Sequence, residues 1–180
     1  LIVAGGEDTL SNAFALGDFP RVLIAKTIDN DVGRMEGGPK FGPDGVLNYF
    51  TLGFPTAAGK IAAFVSLREG LRTTAYSHER IVVVESMGMH AGWLALASGL
   101  GGPDFIIIPE FPLDTEALLE AVGKKYEKRR HLIIVVAEGA RWEDGSHLRV
   151  SEDEGQGFDH PRFGGAAEAL KDWLKKRLFG

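Results

Sequence analysis

The sequence predicts an α/β fold with layered α/β/α architecture and a mostly parallel sheet. Short apolar runs alternate with longer stretches of helical period, the pattern of consecutive β-α units. The runs at 82–84 and 133–136 are β-branched and apolar on both faces, as in buried parallel strands. A length of 180 residues suits one ordinary domain with a core, so we expect a single α/β unit over residues 1–180.

Five strands and five helices follow from this alternation. The strands are the short apolar runs, and in chain order they cover 1–4, 22–25, 81–85, 105–108 and 132–137. The helices are the stretches of helical period, and in chain order they cover 9–16, 55–72, 91–100, 115–128 and 166–178. Asp114 is a candidate N-cap for the fourth helix, and Trp93, Leu94 and Leu96 are expected on the buried face of the third. The glycine-rich or aperiodic stretches 31–51 and 143–165 are predicted loops.

Composition excludes several classes of function. The net charge of -5 and the pI of about 5.6 provide no basic field for nucleic acid. No apolar run approaches the roughly 20 residues that cross a bilayer, so we expect no membrane partner. The chain contains no cysteine, which excludes disulfides and thiolate metal sites and fits a reducing compartment. We therefore expect a cytoplasmic protein.

The first dense cluster of functional residue types follows the first predicted strand. Gly5 and Gly6 allow close approach of the backbone to a ligand, and the N–H groups at the start of the next helix favour an anion. Glu7 or Asp8 in the same turn can hold Mg²⁺ against phosphate oxygens. The structural alternative is a plain tight turn.

The second cluster, Lys-Thr-Ile-Asp-Asn-Asp at 26–31, follows the second predicted strand. Ligands of open α/β sheets bind beyond the carboxyl ends of the strands, so this segment and the Gly5–Gly6 turn can face one crevice. Two carboxylates, a hydroxyl and an ammonium would then converge. The alternative is a turn whose Asp and Asn side chains bind their own backbone.

These two segments, with further motifs in the same order, resemble the phosphofructokinase family. The later motifs are Gly-Phe-Pro-Thr-Ala at 53–57, Ser-His-Glu-Arg at 77–80, Glu-Ser-Met-Gly-Met-His-Ala-Gly-Trp at 85–93, Ile-Pro-Glu at 108–110 and Ala-Glu-Gly-Ala at 137–140. The resemblance covers residues 1–140 and implies part of a two-domain phosphofructokinase fold. It also implies transfer of a phosphoryl group to the 1-hydroxyl of fructose 6-phosphate in glycolysis, with Mg²⁺ as cofactor and a homo-oligomeric enzyme.

The resemblance implies roles for individual residues. Asp29 would be the general base, Thr27 and Asp31 would place the reacting groups, and Glu7 would bind Mg²⁺ where the family usually has Asp. The residues implied to bind the sugar phosphate are Thr27, Ile28, Asp29, Arg80, Met87, Gly88, Met89 and Glu138, with Arg80 reaching a neighbouring subunit. On composition alone, Met87 would be core, Arg80 a solvated charge and Glu138 a cap.

Two positions indicate the phosphoryl donor. Donor binding falls to Gly5, Gly6, Asp8 and Lys26. ATP-dependent members typically have glycine where Asp8 stands, because a carboxylate there repels the α-phosphate. Lys26 can neutralise pyrophosphate, which makes it a catalytic residue too. The chain therefore resembles the pyrophosphate-dependent subgroup, with an ATP-dependent enzyme as the alternative.

Three departures from the family leave other functions open. Met89 stands where the family usually has an arginine, and Lys26 and Lys40 are candidates to replace that cation. The 31–51 loop is longer than is common, which makes it a candidate lid. The family's N-terminal phosphate loop and C-terminal half are expected to be missing from the 180 residues. Met89 favours a catalytically silent regulatory subunit, and the glycine-acidic turn also fits lipid or NAD kinases. Glu110 resembles an effector-binding position of regulated bacterial members.

Overall fold

The structure, a computed structural model, describes residues 1–32, 50–66, 70–149 and 165–180. The chain groups into two compact units, Leu1–Ala57 and Ala58–Gly180, whereas the sequence predicted one. The strands form two three-stranded sheets in which every strand pair is parallel, and helices flank them, so the α/β class is confirmed. The sequence predicted a single sheet because an apolar pattern does not specify which strands are neighbours. In the described residues no helix is long and apolar enough to span a membrane.

The first unit contains a small sheet with strand order β1-β2-β3. Its elements are β1 (Ile2–Gly5), α1 (Glu7–Ala15), β2 (Val22–Thr27) and β3 (Leu52–Gly53). Gly5 pairs in register with Ala25, so the carboxyl ends of β1 and β2 lie side by side. The two-residue strand β3 was not predicted, because two residues are too few to show a period.

The second unit contains the sheet with strand order β4-β6-β5. Its strands are β4 (Ile81–Ser86), β5 (Phe105–Ile107) and β6 (Leu132–Ala137). Its helices are α3 (Leu71–Ser77), α4 (Trp93–Ala97), which continues into a 3-10 turn at Ser98–Gly101, α5 (Thr115–Arg129) and α6 (Ala166–Leu178). All five predicted strands and the predicted helix α6 are present within one or two residues of their expected bounds.

The core of the second unit lies on both faces of β6, all of whose residues are buried. Leu132, Ile134 and Val136 point into a cluster with α5 and α6. Ile133 and Val135 point into a second cluster, with residues of α2, α3 and α4. Strand residues alternate between the two faces of a sheet, so a continuous apolar run is what a doubly covered strand requires. This unit therefore has the predicted α/β/α layers.

The predicted helix 55–72 is interrupted, which corrects the sequence prediction. α2 (Phe54–Val65) begins in the first unit and ends at Val65, and α3 begins at Leu71. Gly70 precedes α3 in extended conformation, and a Cβ on Gly70 would overlap the Phe64 carbonyl oxygen. Gly70 therefore lies against the end of α2, closer than two residues six positions apart can lie in a continuous helix. Residues 67–69 lie outside the described residues.

Two local predictions have opposite outcomes. The cap is confirmed: Asp114 accepts a hydrogen bond of 2.9 Å from the Ala117 amide at the start of α5. The buried face assigned to the third helix is only partly right, since Leu94 is 5% exposed but Trp93 is 46% and Leu96 is 45% exposed. The helix is short, and only the side of α4 that carries Leu94 and Ala95 packs on the sheet.

Candidate active site

The turn between β1 and α1 has the form expected of an anion-binding turn. Gly5 is buried, and a Cβ there would overlap the Thr9 side chain, so the tight approach of strand and helix requires glycine. Gly6 is the N-cap of α1, and its carbonyl accepts from the Leu10 amide at 3.1 Å. Glu7 and Asp8 occupy the first turn of the helix and are exposed. Both carboxylates therefore stand where a phosphate would meet the N-terminus of α1.

The second predicted cluster lies beside this turn. Lys26 and Thr27 are the last two residues of β2, one position beyond the Ala25–Gly5 pair. Adjacent strands lie about 4.8 Å apart, so Lys26 flanks the Gly6 turn at the same edge of the sheet. Lys26 is exposed, and Asp29, two residues after the strand, is half-buried. The Lys26 ammonium and the carboxylates of α1 thus border one edge of the sheet.

Hydrogen bonds fix the backbone that carries Asp29. The Asp29 amide donates to Thr27 Oγ1 at 3.2 Å, which closes the turn after β2. The next residue, Asn30, adopts the left-handed conformation with φ of 57°, a region that Asn tolerates better than most residues. Asp31 follows in a half-buried position. This contact within the turn is made by the Thr27 hydroxyl and not by an Asp or Asn side chain, and Lys26 and Ile28 remain exposed.

Thr51 is a supporting residue that the sequence analysis did not identify. It is 4% exposed, its hydroxyl donates to the Thr27 carbonyl at 2.7 Å, and its amide donates to Asn30 Oδ1 at 2.9 Å. Thr51 therefore ties the segment before β3 to both ends of the Asp29 turn. Its signal in the sequence is weak, because a single threonine 21 residues away from Asn30 has no local pattern.

The remaining predicted sugar-phosphate residues lie in the second unit, in and near the loop at 87–92 that joins β4 to α4. Met87 is 49% exposed, which excludes the core position suggested by composition alone. Gly88 has a φ of 132°, where residues with a side chain are strained, and a Cβ there would come within 2.5 Å of the Ala91 carbonyl oxygen. Met89 is half-buried, and its carbonyl packs against Gly139. The loop conformation therefore depends on glycine at Gly88 within the loop and at Gly139 beside it.

Glu138, directly after β6, connects that strand to the 87–92 loop. It is 8% exposed, and Glu138 Oε1 accepts from the Gly88 amide at 3.2 Å, while its own amide donates to the Ser86 carbonyl at 2.9 Å. Burial raises the pKa of the Glu138 carboxyl, and the nearby Glu85 carboxylate adds to the rise, while the Gly88 amide opposes it. Glu138 therefore acts here as a buried acceptor that positions Gly88.

Arg80 lies apart from the other predicted residues of its unit. It is exposed and precedes β4, whereas Met87 follows β4. A six-residue strand spans about 20 Å, so Arg80 and Met87 stand at opposite ends of the sheet. The structure thus places the predicted residues in three groups: the β1–β2 edge of the first unit, the 87–92 loop with Glu138, and Arg80. Lys40 and most of the 31–51 loop lie outside the described residues, as does 150–164 in the loop at 143–165.

Comparison with known proteins identifies the family. Residues 1–178 match the family model described as Phosphofructokinase. The chain is 41% identical over 181 residues to a pyrophosphate–fructose 6-phosphate 1-phosphotransferase of Amycolatopsis methanolica, covering 98% of this chain and 48% of that protein. It is 37% identical over 182 residues to an ATP-dependent 6-phosphofructokinase of Corynebacterium efficiens, covering 99% and 48%.

A solved structure agrees with these relatives. The chain resembles the crystal structure of a pyrophosphate-dependent phosphofructokinase from Marinobacter aquaeolei with a TM-score of 0.65 and 26% identity, covering 97% of this chain and 40% of that one. The chain spans about half the length of the curated relatives it matches. Because the family match covers residues 1–178 of the 180, the chain belongs to the phosphofructokinase family.

Proposed function

We propose that this chain is part of a 6-phosphofructokinase that transfers a phosphoryl group from pyrophosphate to the 1-hydroxyl of fructose 6-phosphate. The observation that carries the proposal is the position of Asp8 in the first turn of α1, with Lys26 at the same edge of the sheet. Relatives named for pyrophosphate and for ATP are almost equally similar to the chain, so the donor assignment rests on these two residues.

The reaction needs positioning and charge stabilisation more than covalent chemistry. We assign Asp29 as the base that accepts the proton of the sugar 1-hydroxyl. Support comes from its place two residues after β2 and from the Thr27 and Thr51 hydrogen bonds that hold its turn. Asp31 and Thr27 would orient the reacting groups, and Ile28 would contact the sugar phosphate. The Lys26 ammonium would stabilise negative charge on the pyrophosphate.

The carboxylates at the β1–β2 edge suit Mg²⁺ if the ion takes most of its ligands from phosphate and water. In the described residues no three His, Asp or Glu side chains converge into a metal site. Magnesium commonly takes one or two carboxylates from the protein and completes its shell with phosphate oxygens and water. Glu7, exposed in the first turn of α1, can supply such a carboxylate. The bound ion would neutralise the charge of the phosphoryl group.

Asp8 is the residue that separates the two donors. A carboxylate beside the place of a third phosphate repels it, while pyrophosphate has no third phosphate to accommodate. Gly6 has open space around it, which leaves the backbone of this turn accessible to the two phosphates that both donors share, while Gly5 allows the close approach of β1 and α1. An ATP-dependent enzyme would require the α-phosphate to avoid Asp8.

Arg80 supports a homo-oligomeric enzyme. It is exposed and stands a strand's length from Met87, Gly88 and Glu138. A guanidinium so placed is suited to the sugar phosphate of a neighbouring subunit, which is the role we propose for it.

The cytoplasmic location predicted from the sequence stays a prediction.

Met89 favours a second function, a regulatory subunit that binds sugar phosphate without turnover. A thioether at this position supplies no charge to the transferring group. Asp29, Thr27 and Asp31 are all present and argue for turnover, so we place this function second.

A parallel donor assay of the complete natural polypeptide tests the proposal. Fructose 6-phosphate is supplied with either pyrophosphate or ATP, with Mg²⁺ or with EDTA, and fructose 1,6-bisphosphate is measured by a coupled reaction. We expect Mg²⁺-dependent product with pyrophosphate and much less with ATP. Binding of fructose 6-phosphate without product from either donor would instead support the regulatory subunit.

A further inference from the structure

The 87–92 loop is held at both ends by carboxylates from the segments that follow the other two strands of its sheet, β6 and β5. At its beginning, the Gly88 amide donates to Glu138 Oε1 at 3.2 Å, from the residue after β6. At its end, the Gly92 amide donates to Glu110 Oε1 at 2.8 Å, from the segment after β5. The second contact is the shorter one, and Glu110 belongs to none of the groups assigned to substrate above.

The Gly92 end of the loop is also tightly packed. Gly92 is buried, and a Cβ there would overlap the Ile108 side chain and come within 2.8 Å of Glu110 Oε2. At the other end, the Gly139 amide donates to the Gly88 carbonyl at 3.2 Å. Hydrogen bonds thus hold the loop backbone at Gly88 and at Gly92, and there is no spare volume at Gly92. The conformation of the Gly92 end therefore depends on Glu110 remaining in place.

We propose that Glu110 is a positioning residue for the sugar-phosphate site. It acts through the Gly92 amide to set the backbone of Met87, Gly88 and Met89, and it makes no contact with the substrate. This inference rests on the proposed function, because only that function gives the 87–92 loop a ligand. Glu110 anchors the end of the loop that Glu138 does not reach.

The proposal predicts a specific kinetic pattern. Glu110→Ala removes the acceptor of a buried amide, so the loop populates conformations that do not bind substrate and the apparent affinity falls by the fraction lost. We expect the KM for fructose 6-phosphate to rise about 10-fold, with kcat and the KM for the donor changed less than 3-fold. Glu110→Gln retains a carbonyl oxygen for Gly92 and should restore most of the affinity.

Hydrogen exchange tests the Glu110–Gly92 contact, here called the tether, without relying on activity. In the complete polypeptide, amide exchange of peptides covering 87–92 should be faster in Glu110→Ala than in the wild type and near wild type in Glu110→Gln. Glu127→Ala, the same change at an exposed site of α5, serves as the matched control and should leave exchange and kinetics unchanged. If Glu110→Ala unfolds, Glu110→Gln still provides the comparison, because the proposal requires it to fold and to retain affinity.

The two measurements separate two kinds of failure. Unchanged exchange at 87–92 in Glu110→Ala would overturn the tether, whatever the enzyme catalyses. Faster exchange with an unchanged KM for fructose 6-phosphate would overturn the positioning role in an active enzyme. A wild type that turns over no fructose 6-phosphate with either donor would overturn the proposed function, and with it the substrate role of the loop, while leaving the tether to be judged by exchange.

Discussion

Replacing Asp104 should destabilise the second unit more than replacing any exposed carboxylate does. The Asp104 side chain is 2% exposed and accepts from Arg72 Nη1 at 3.0 Å, from Lys125 Nζ at 2.9 Å and from the Ile133 amide at 2.9 Å. Arg72 is itself 7% exposed and also donates to the Gly102 carbonyl. One carboxylate thus neutralises a buried guanidinium and satisfies the backbone of the central strand β6.

The magnitude follows from what Asp104→Ala leaves behind. Breaking a buried ion pair by removing one partner costs about 3–5 kcal/mol, because the other charge stays buried. The Ile133 amide also loses its side-chain acceptor, a cost of about 1–3 kcal/mol that overlaps with the first. We therefore expect a loss of about 4 kcal/mol, a large part of a typical total of about 5–15 kcal/mol. Asp104→Asn keeps an oxygen for Ile133 and should lose less.

Urea unfolding monitored by tryptophan fluorescence provides the assay. Trp142 and Trp173 pack in the same unit, with ring centroids 5.8 Å apart, and report on its unfolding. Glu120→Ala is the matched control, since Glu120 pairs with Lys124 on the exposed surface of α5 and should show no measurable change. A free energy of unfolding for Asp104→Ala within about 1 kcal/mol of the wild type would refute the reasoning.

Three further predictions concern pH, catalysis and charge. Burial raises the pKa of the Asp104 carboxyl, but the Ile133 amide, Lys125 and Arg72 together outweigh burial and lower the pKa. The contribution of Asp104 to the free energy of unfolding should therefore be fully present well above the unfolded-state pKa near 3.9 and should be lost as the pH drops through the lowered pKa. A free energy of unfolding that does not change with pH in this acidic range would contradict the prediction. Asp29→Asn should lower kcat about 100-fold or more with the KM for fructose 6-phosphate within a few-fold, and near wild-type turnover would remove Asp29 from the mechanism. Met89→Arg should raise kcat by placing a cation near the transferring group, and a loss of activity in a folded variant would show that the loop is built around Met89.

The sequence predicted correctly those helices and strands whose local residue pattern favours the same structure as their packing in the fold. Ile133 and Val135 belong to an apolar, β-branched run that is typical of a doubly covered strand, and the Asp114 cap joins two residues only three positions apart. The break at Gly70 escaped prediction because helical period continues past it, while the decisive contact is with the Phe64 carbonyl.

Predictions at the site divide in the same way. The Gly5–Gly6 turn was predictable because strand, turn and helix are consecutive in the chain. The contact of Thr51 with Asn30 was not predictable, since it joins segments 21 residues apart and a single threonine has no local pattern. Glu110 belongs to the Ile-Pro-Glu motif, but the motif does not reveal its contact with Gly92, which lies 18 residues earlier in the chain.

The most direct test of the account is the donor preference of variants at Asp8 and Lys26. The specificity constants for pyrophosphate and ATP are measured at saturating fructose 6-phosphate for the wild type, Asp8→Gly, Lys26→Gly and the double variant. We expect the wild type to favour pyrophosphate at least 100-fold, a difference of about 2.7 kcal/mol. Asp8→Gly should gain ATP use, and the double variant should also lose pyrophosphate use. The two effects should be non-additive if Asp8 and Lys26 bind the same donor, as proposed. A wild type that prefers ATP, or an Asp8→Gly variant with an unchanged donor ratio, would contradict the assignment.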